Sequence, residues 1–153
     1  MNQNLNVGNV TRALQQLLRD DLEIAARGVR SADIEIAEIV NESIDRTPWI
    51  GIYKGSVGYA PRTLGAHAAS WQAAPQPRVI VQAGGLQGGA ETEILLEDLI
   101  RDVMRVVFDS LTLNDTVDMV TGVNVEYRFI EADMESSYLQ TAILTFSTEV
   151  ATG

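Results

Sequence analysis

The sequence predicts an α+β domain in which helices pack on one face of a mainly antiparallel sheet of about four strands. Three patterns support this fold class: segments with helical spacing of apolar residues, a β-branched run, and two final segments in which apolar and polar residues alternate. The chain has 153 residues, of which 46% are hydrophobic and 21% are charged. Because this length and composition are typical of one globular domain, residues 1–153 are predicted to form a single domain.

Helices are predicted at residues 10–27 and 91–108, where apolar residues recur every three or four positions. Asn9 is the expected N-cap of the first. In the second, acidic residues come early and arginines late, an order that complements the helix dipole. A further helix is predicted to begin at Ser31 and to end before Thr47. The apolar stripe of that helix consists of Ile36, Ile39, Val40 and Ile44.

Strands are predicted at residues 49–54 and 78–83, and the β-branched run in the second indicates a strand covered on both faces. Two longer strands, within residues 123–129 and 141–150, end the chain and are joined by a polar link suited to a hairpin. Residues 55–76 are rich in glycine, alanine, serine and proline, and they are predicted to form a long loop of the kind that is often functional or ordered by a partner.

The charge balance disfavours a protein whose main task is to bind nucleic acid. Eleven basic and 21 acidic residues give a formal net charge of −10, whereas DNA affinity depends largely on neutralising phosphates. For the arginines of the first helix and its exit, pairing with a neighbouring subunit or exposure to solvent is preferred over DNA binding. These residues are Arg12, Arg19, Arg27 and Arg30. The chain shows no leader pattern and no run of about 20 apolar residues, so we expect synthesis in the cytoplasm and no membrane contact.

No residue set indicates catalysis, a cofactor or a metal. His67 is the only histidine, and it lies in the small-residue segment near Ser70 without a nucleophile elbow or an oxyanion motif. The glycine-rich residues 84–89 lack the lysine of a phosphate loop, and the glutamates that follow would repel phosphate. The alternating acidic residues in 131–135 lack the glycine and the final glutamate of an EF-hand loop. The absence of cysteine excludes thiolate ligands and disulfides.

The order of segments resembles a family of phage proteins. It combines an N-terminal helix, the run from Pro48 to Tyr53, the run from Pro61 to Gly65 with Trp71 beyond it, and then the buried strand. The helix with an acidic start, the strand through residues 123–127 and the closing strand complete the likeness. Over nearly its whole length, the chain is similar to the tail terminator (tail completion) proteins of lambda-like and Mu-like phages.

The resemblance implies a virion protein at the head-proximal end of the tail. It implies a hexameric ring that caps the tail tube, stops tail growth and presents a surface for joining to the head. The implied partners are further copies of the chain, the tail tube protein and a head completion or connector protein, with DNA passing through the ring unbound. Two alternatives stay open: a neck or head completion protein, and a small-ligand binding protein or enzyme that uses the His67 loop.

Two regions supply candidate contact residues for subunits or partners. The long loop carries large side chains among small ones, and the final strand carries two apolar residues on its otherwise polar face, where either a subunit contact or a scattered exposed pair is possible. The candidate interface residues are Tyr59, Arg62, Leu64, Trp71, Leu139 and Ile143.

Overall fold

In the residues that it describes, the computed structural model contains three α-helices and a five-stranded sheet. The residues that the structure describes are 5–37, 39–41, 44–61, 71–85, 90–130 and 138–152. The helices are α1 (Val7–Asp20), α2 (Leu22–Ala26) and α3 (Ala90–Phe108). The strands are β1 (Ile34–Ile36), β2 (Trp49–Pro61), β3 (Trp71–Gly85), β4 (Met119–Ile130) and β5 (Tyr138–Thr152).

The strand order is β1-β2-β3-β5-β4, in which only β1 and β2 are parallel. Helices α1 and α3 cover one face of this sheet, because their apolar stripes share one core cluster with inward-facing residues of β2, β3 and β5. The α+β class, the mainly antiparallel sheet and the final hairpin are confirmed. Central members of this main core are Val10, Leu14, Leu18, Ile50, Ile52, Val79, Val81, Leu99, Val103, Leu144 and Phe146.

The helix predicted between Ser31 and Thr47 is wrong, and a fifth strand takes its place. The described part of this segment contains a short 3-10 turn, strand β1 and a second 3-10 turn at Ile44–Arg46. Ile34 pairs with Ile50 at the sheet edge and is buried in the main core. Because β-branched residues fit a pleated strand, the pairing of β1 with β2 outweighs the helical spacing of the isoleucines in this segment.

The first predicted helix is divided in two at Asp21. It begins earlier than expected, because the Asn6 side chain accepts a hydrogen bond from the Asn9 N–H and caps α1. Asp21 has extended backbone and caps α2 by accepting from the Ile24 N–H at 3.0 Å. This break turns α2, so that Ile24 is buried and Leu22, which fits the helical spacing of apolar residues in 10–27, is exposed.

The predicted loop at residues 55–76 is largely a long β-hairpin. β2 and β3 stay paired from Ser56 opposite Gln76 to Pro61 opposite Trp71, and the hairpin's turn lies outside the described residues. We call paired residues 56–61 and 71–76 the arm. The sequence predicted a loop because small residues and prolines obscure the apolar–polar alternation that is typical of a strand. In the structure, the pairing of β2 with β3 satisfies the backbone hydrogen bonds of these residues.

The connection from α3 to β4 contains three consecutive residues with left-handed backbone: Leu113, Asn114 and Asp115, with φ of 46°, 55° and 63°. The Leu113 side chain is fully buried in the main core. Around it, the Thr116 hydroxyl donates to the Leu113 carbonyl at 2.7 Å, and the Val120 N–H donates to the Leu111 carbonyl at 2.8 Å. The turn therefore fixes where β4 begins relative to α3.

Candidate interaction surfaces

The arm carries one of the predicted contact residues on an open surface. Tyr59 is 60% exposed. It lies on the same face of β2 as Val57, which packs against the main core. Its cross-strand neighbour Ala73 is fully buried and adjoins Val150 of β5. The arm thus places an exposed aromatic ring at the end of a well-supported strand, as a contact surface requires.

The other candidates from this segment are only partly described. Arg62 and Leu64 lie outside the described residues, as does His67. Trp71 begins β3, where its backbone is opposite Pro61 on one side and Thr152 on the other. Its side chain lies outside the described residues, so its predicted role in an interface stays a prediction.

The base of the arm is fixed by Gly55. The register of β2 and β3 shifts between Tyr53 and Ser56, and Gly55 has a φ of +65° at this bulge. A Cβ atom at Gly55 would overlap the Gln76 carbonyl oxygen of β3. Glycine is needed here both for the backbone conformation and for the close approach of the two strands.

The exposure predicted for Leu139 and Ile143 is wrong. They are 1% and 8% exposed, and Ile143 forms a second core cluster with Trp49 and Ile80 on the sheet face opposite the helices. Ala37 and Val40, from the chain between β1 and β2, pack against this cluster. The apolar pair is therefore covered by the chain itself, while β3 is covered on both faces as predicted.

Polar contacts hold the described part of the covering segment, residues 37, 39–41 and 44–46, on this second face. Gln82 is fully buried in β3, and its Nε2 atom donates to the Asn41 carbonyl at 2.8 Å. Arg46 donates to Glu35 at 2.6 Å, and the Trp49 Nε1 atom donates to the other oxygen of the same carboxylate at 3.1 Å. The Trp49 ring lies over Gly51, where a Cβ atom would overlap it. This face of the sheet is therefore a packed core and not a solvent-exposed surface.

The arginines near the first two helices are engaged within the chain. Arg27 contacts Asp98 and Asp102 of α3, at 3.2 Å and 3.1 Å. Arg30 donates to Asp33 at 2.8 Å, and the Arg19 Nε atom donates to the Ile34 carbonyl at 3.2 Å. These contacts join α2 to α3 and hold β1 in place, which gives the arginines a role within the domain.

A second ion pair in this network gives stability that depends on pH. Arg105 donates to Asp21 at 2.8 Å. Partial burial raises the pKa of Asp21, but the Arg105 hydrogen bond and the Ile24 N–H together outweigh it and hold the pKa below its usual value. A depressed carboxyl pKa contributes stability above the unfolded pKa that is lost as pH falls through the folded pKa.

Asp21→Asn should lower the free energy of unfolding by about 1 kcal/mol at neutral pH, because it removes the charge and keeps the capping oxygen. Urea titrations at several pH values would measure this difference. It should vanish below the folded pKa of Asp21, where the wild-type carboxyl is protonated as well. Asp21→Ala should cost more at every pH, because it also removes the cap. A constant difference between wild type and Asp21→Asn at all pH values would contradict the ion pair.

The outer edge of β4, at the end of the sheet, is flanked by exposed apolar side chains. Ile94 of α3 and Tyr127 of β4, which are 60% and 53% exposed, lie toward one end. A hydrogen bond from the Tyr127 hydroxyl to the Glu97 carboxylate raises the pKa of Tyr127 and ties β4 to α3. Toward the other end, further apolar residues are exposed; they are Phe108, Leu111 and Met119.

The sequence predictions missed this edge as a candidate surface. The alternation in residues 123–129 gave the correct inward face, with Val123 and Val125 packed against the main core. Alternation cannot tell a central strand from an edge strand, because both repeat with period two. Glu126 and Arg128, two charges on one face, were the available signal of an edge.

Within the described ranges, no cluster of three or more histidine, aspartate and glutamate side chains is arranged to hold a metal ion. The acidic residues in 131–135, Ser70 and most of the glycine-rich 84–89 lie outside these ranges. None of the helices that the structure describes is both long and apolar enough to cross a membrane.

Comparison with solved structures finds the same fold in the virion of a gene transfer agent. The chain is similar to a protein chain in the virion of a native gene transfer agent (GTA) particle, with a TM-score of 0.56 and 15% sequence identity. The alignment covers 94% of this chain and 96% of that chain. At this identity the likeness establishes a shared fold over nearly the full length of both chains. No family model matches the sequence, and no curated protein does either.

Proposed function

We propose that this chain is a non-enzymatic structural protein of a phage-like virion and acts there as a tail terminator. In this role a hexameric ring of copies caps the tail tube, stops its growth and presents a joining surface to the head. The observation that supports this proposal is the near full-length fold match to a chain of the GTA virion. The order of segments, which resembles tail terminators, gives the specific place at the head-proximal end of the tail.

The distribution of charge supports a ring through which DNA moves without being held. The formal net charge is −10. Six arginines, at positions 27, 30, 46, 101, 105 and 128, each lie within 4.0 Å of a carboxylate of the same chain. Neutralised cations contribute little to phosphate binding, and an acidic surface repels DNA. The proposed partners are accordingly proteins: further copies, the tail tube protein and a head completion protein.

Loss of this gene from a phage that encodes it should leave heads and tail tubes intact but separate. Without a cap, tube polymerisation has no stop, so tube lengths measured by electron microscopy should spread far above the wild-type value. A plasmid copy of the wild-type gene should restore uniform, head-attached tails. Normal-length tails attached to heads in the deletion strain would refute the proposal.

The same micrographs distinguish the neck alternative from the terminator. A head completion protein acts after tail length is set, so its loss should give tubes of normal length that fail to join heads. A terminator also caps purified tubes: added to tail tube protein during polymerisation, it should shorten the tubes in proportion to its concentration. An enzyme that uses the His67 loop would leave tube length unchanged.

A further inference from the structure

We infer that the outer edge of β4 binds the free edge of β2 in a second copy of this chain, so that the sheet continues from one subunit to the next. The inference gives the ring under Proposed function a specific interface, and it rests on that function for its biological setting. It follows from strand pairing, strand direction, exposed apolar residues and charge.

Both ends of the sheet leave backbone groups available. On one end, β4 pairs with β5 through residues 119–130, and no described strand pairs with its other side. On the other end, β1 covers only Ile50, Gly51 and Ile52 of β2, with Ala37 adding one hydrogen bond to the Ile52 carbonyl. From Tyr53 to Pro61 the outer side of β2 has no strand partner among the described residues. Long open edges of this kind are templates for pairing with another chain.

The directions of the strands make the two edges compatible. Each neighbouring pair from β2 through β3 and β5 to β4 is antiparallel, so β2 and β4 run in opposite directions. A second copy in the same orientation therefore places its β2 antiparallel to β4. Such a contact joins different surfaces of the two copies and repeats from copy to copy, which is the arrangement that closes into a ring.

The apolar residues lie where this pairing would bury them. Tyr127 and Ile94 flank one end of the β4 edge, and the partner strand would bring Val57 and Tyr59 of the arm. Aromatic and β-branched side chains on neighbouring strands stabilise antiparallel pairs. The contact would thus cover exposed residues at both ends of the sheet.

Charge selects β2 of a second copy over a β4-to-β4 contact. Lys54 and Arg78, at the base of the arm, form no ion pair among the described residues. The β4 end is net acidic: Glu126 on the strand lies 3.6 Å from Arg128, and Glu93 and Glu97 add two further carboxylates on the adjacent helix. Pairing β4 with β4 would bring these carboxylates together, whereas pairing with β2 brings them toward two unpaired cations.

Engineered cysteines can test the pairing cleanly, because the chain has none of its own. Gly58 is a suitable site, since a Cβ atom there meets nothing within 4 Å. It follows Val57, which faces the main core, so a side chain at 58 points to the opposite face, the face shared by Asn124 and Glu126. The test variants are Gly58→Cys/Asn124→Cys and Gly58→Cys/Glu126→Cys, which sample two registers.

Oxidation of at least one double variant should give a series of disulfide-linked oligomers, from the dimer up to the number of subunits in the ring. A reducing agent should convert them all back to monomer on a denaturing gel. The control Gly58→Cys/Leu22→Cys places the second thiol on exposed α2 and should give only background cross-linking. Circular dichroism establishes that each variant is folded. Covalent dimers from Asn124→Cys or Glu126→Cys alone, at the yield of the double variants, would overturn the inference in favour of a β4-to-β4 contact.

A charge swap tests the same contact without cysteines. Lys54→Glu should raise the protein concentration needed for half-maximal assembly by about tenfold, and Glu126→Lys in the same chain should restore it. Absence of cross-links in folded double variants that still cap tail tubes would overturn the edge pairing and leave the proposed function standing. A cross-linked ladder from protein that leaves tube length unchanged would support the pairing and refute the terminator function.

Discussion

Ile143→Asp should remove much of the chain's stability at room temperature. Ile143 lies in the second core cluster, opposite Ile80 on β3 and next to Glu126 on β4, so an introduced carboxylate would be buried beside another acid. Burying an unpaired charge costs about 4 kcal/mol or more, which is a large part of a domain's total stability of about 5–15 kcal/mol. Circular dichroism and urea titration would report the loss of structure.

Two control variants separate burial from other effects of this substitution. Ile143→Val keeps the site apolar and should cost only about 1 kcal/mol. Ile39→Asp adds the same charge at a residue that is 83% exposed, and stability should stay within about 0.5 kcal/mol of wild type. A folded Ile143→Asp protein of normal stability that fails to assemble would show that this face is a subunit contact and not a core.

Gly55→Ala should lower the free energy of unfolding by about 2–4 kcal/mol, although it adds a single methyl group. The positive φ of Gly55 disfavours any side chain, and the added Cβ atom would overlap the Gln76 carbonyl of β3. The strands can relieve this overlap only by separating at the base of the arm. Thermal and urea unfolding would measure the cost.

Gly58→Ala is the matched control, because it makes the same change three residues further along β2. A Cβ atom at Gly58 meets no atom within 4 Å, so alanine there should leave stability unchanged or raise it by about 0.5 kcal/mol. Equal effects of the two substitutions would contradict the bulge at Gly55 as the fixed point of the arm.

The sequence was most informative where a segment packs against one continuous apolar surface. Helix α3 and strands β4 and β5 appear close to their predicted bounds, because most of their periodic apolar residues face the main core. The prediction of a helix after Ser31 was wrong because the isoleucines of this segment lie in different environments. Ile34 is buried at the sheet edge, whereas Ile39 is exposed. Periodicity alone cannot detect a division of that kind.

The candidate contact residues were harder to predict, since exposure is a property of the assembled fold. Tyr59 lies on an open surface, whereas Ile143 is covered by a segment more than 100 positions earlier in the chain. The alternation in β5 correctly separated its two faces. It could not indicate that Val40 packs against the face opposite the helices. The open edge of β4 depends on strand order, for which the two charges Glu126 and Arg128 on one face were the available local signal.

The continuity of the arm with the centre of the sheet has a mechanical consequence. β2 and β3 continue from the buried layer through the bulge at Gly55 into the arm, and β3 pairs with β5 on its other side at residues 71–73 and 78–85. A pull on the arm along its strands is therefore shared by many hydrogen bonds loaded in parallel, instead of opening them one at a time. A neighbour attached to the arm would be joined directly to the central strands of the sheet, so tension along the strands would pass between subunits through their sheets.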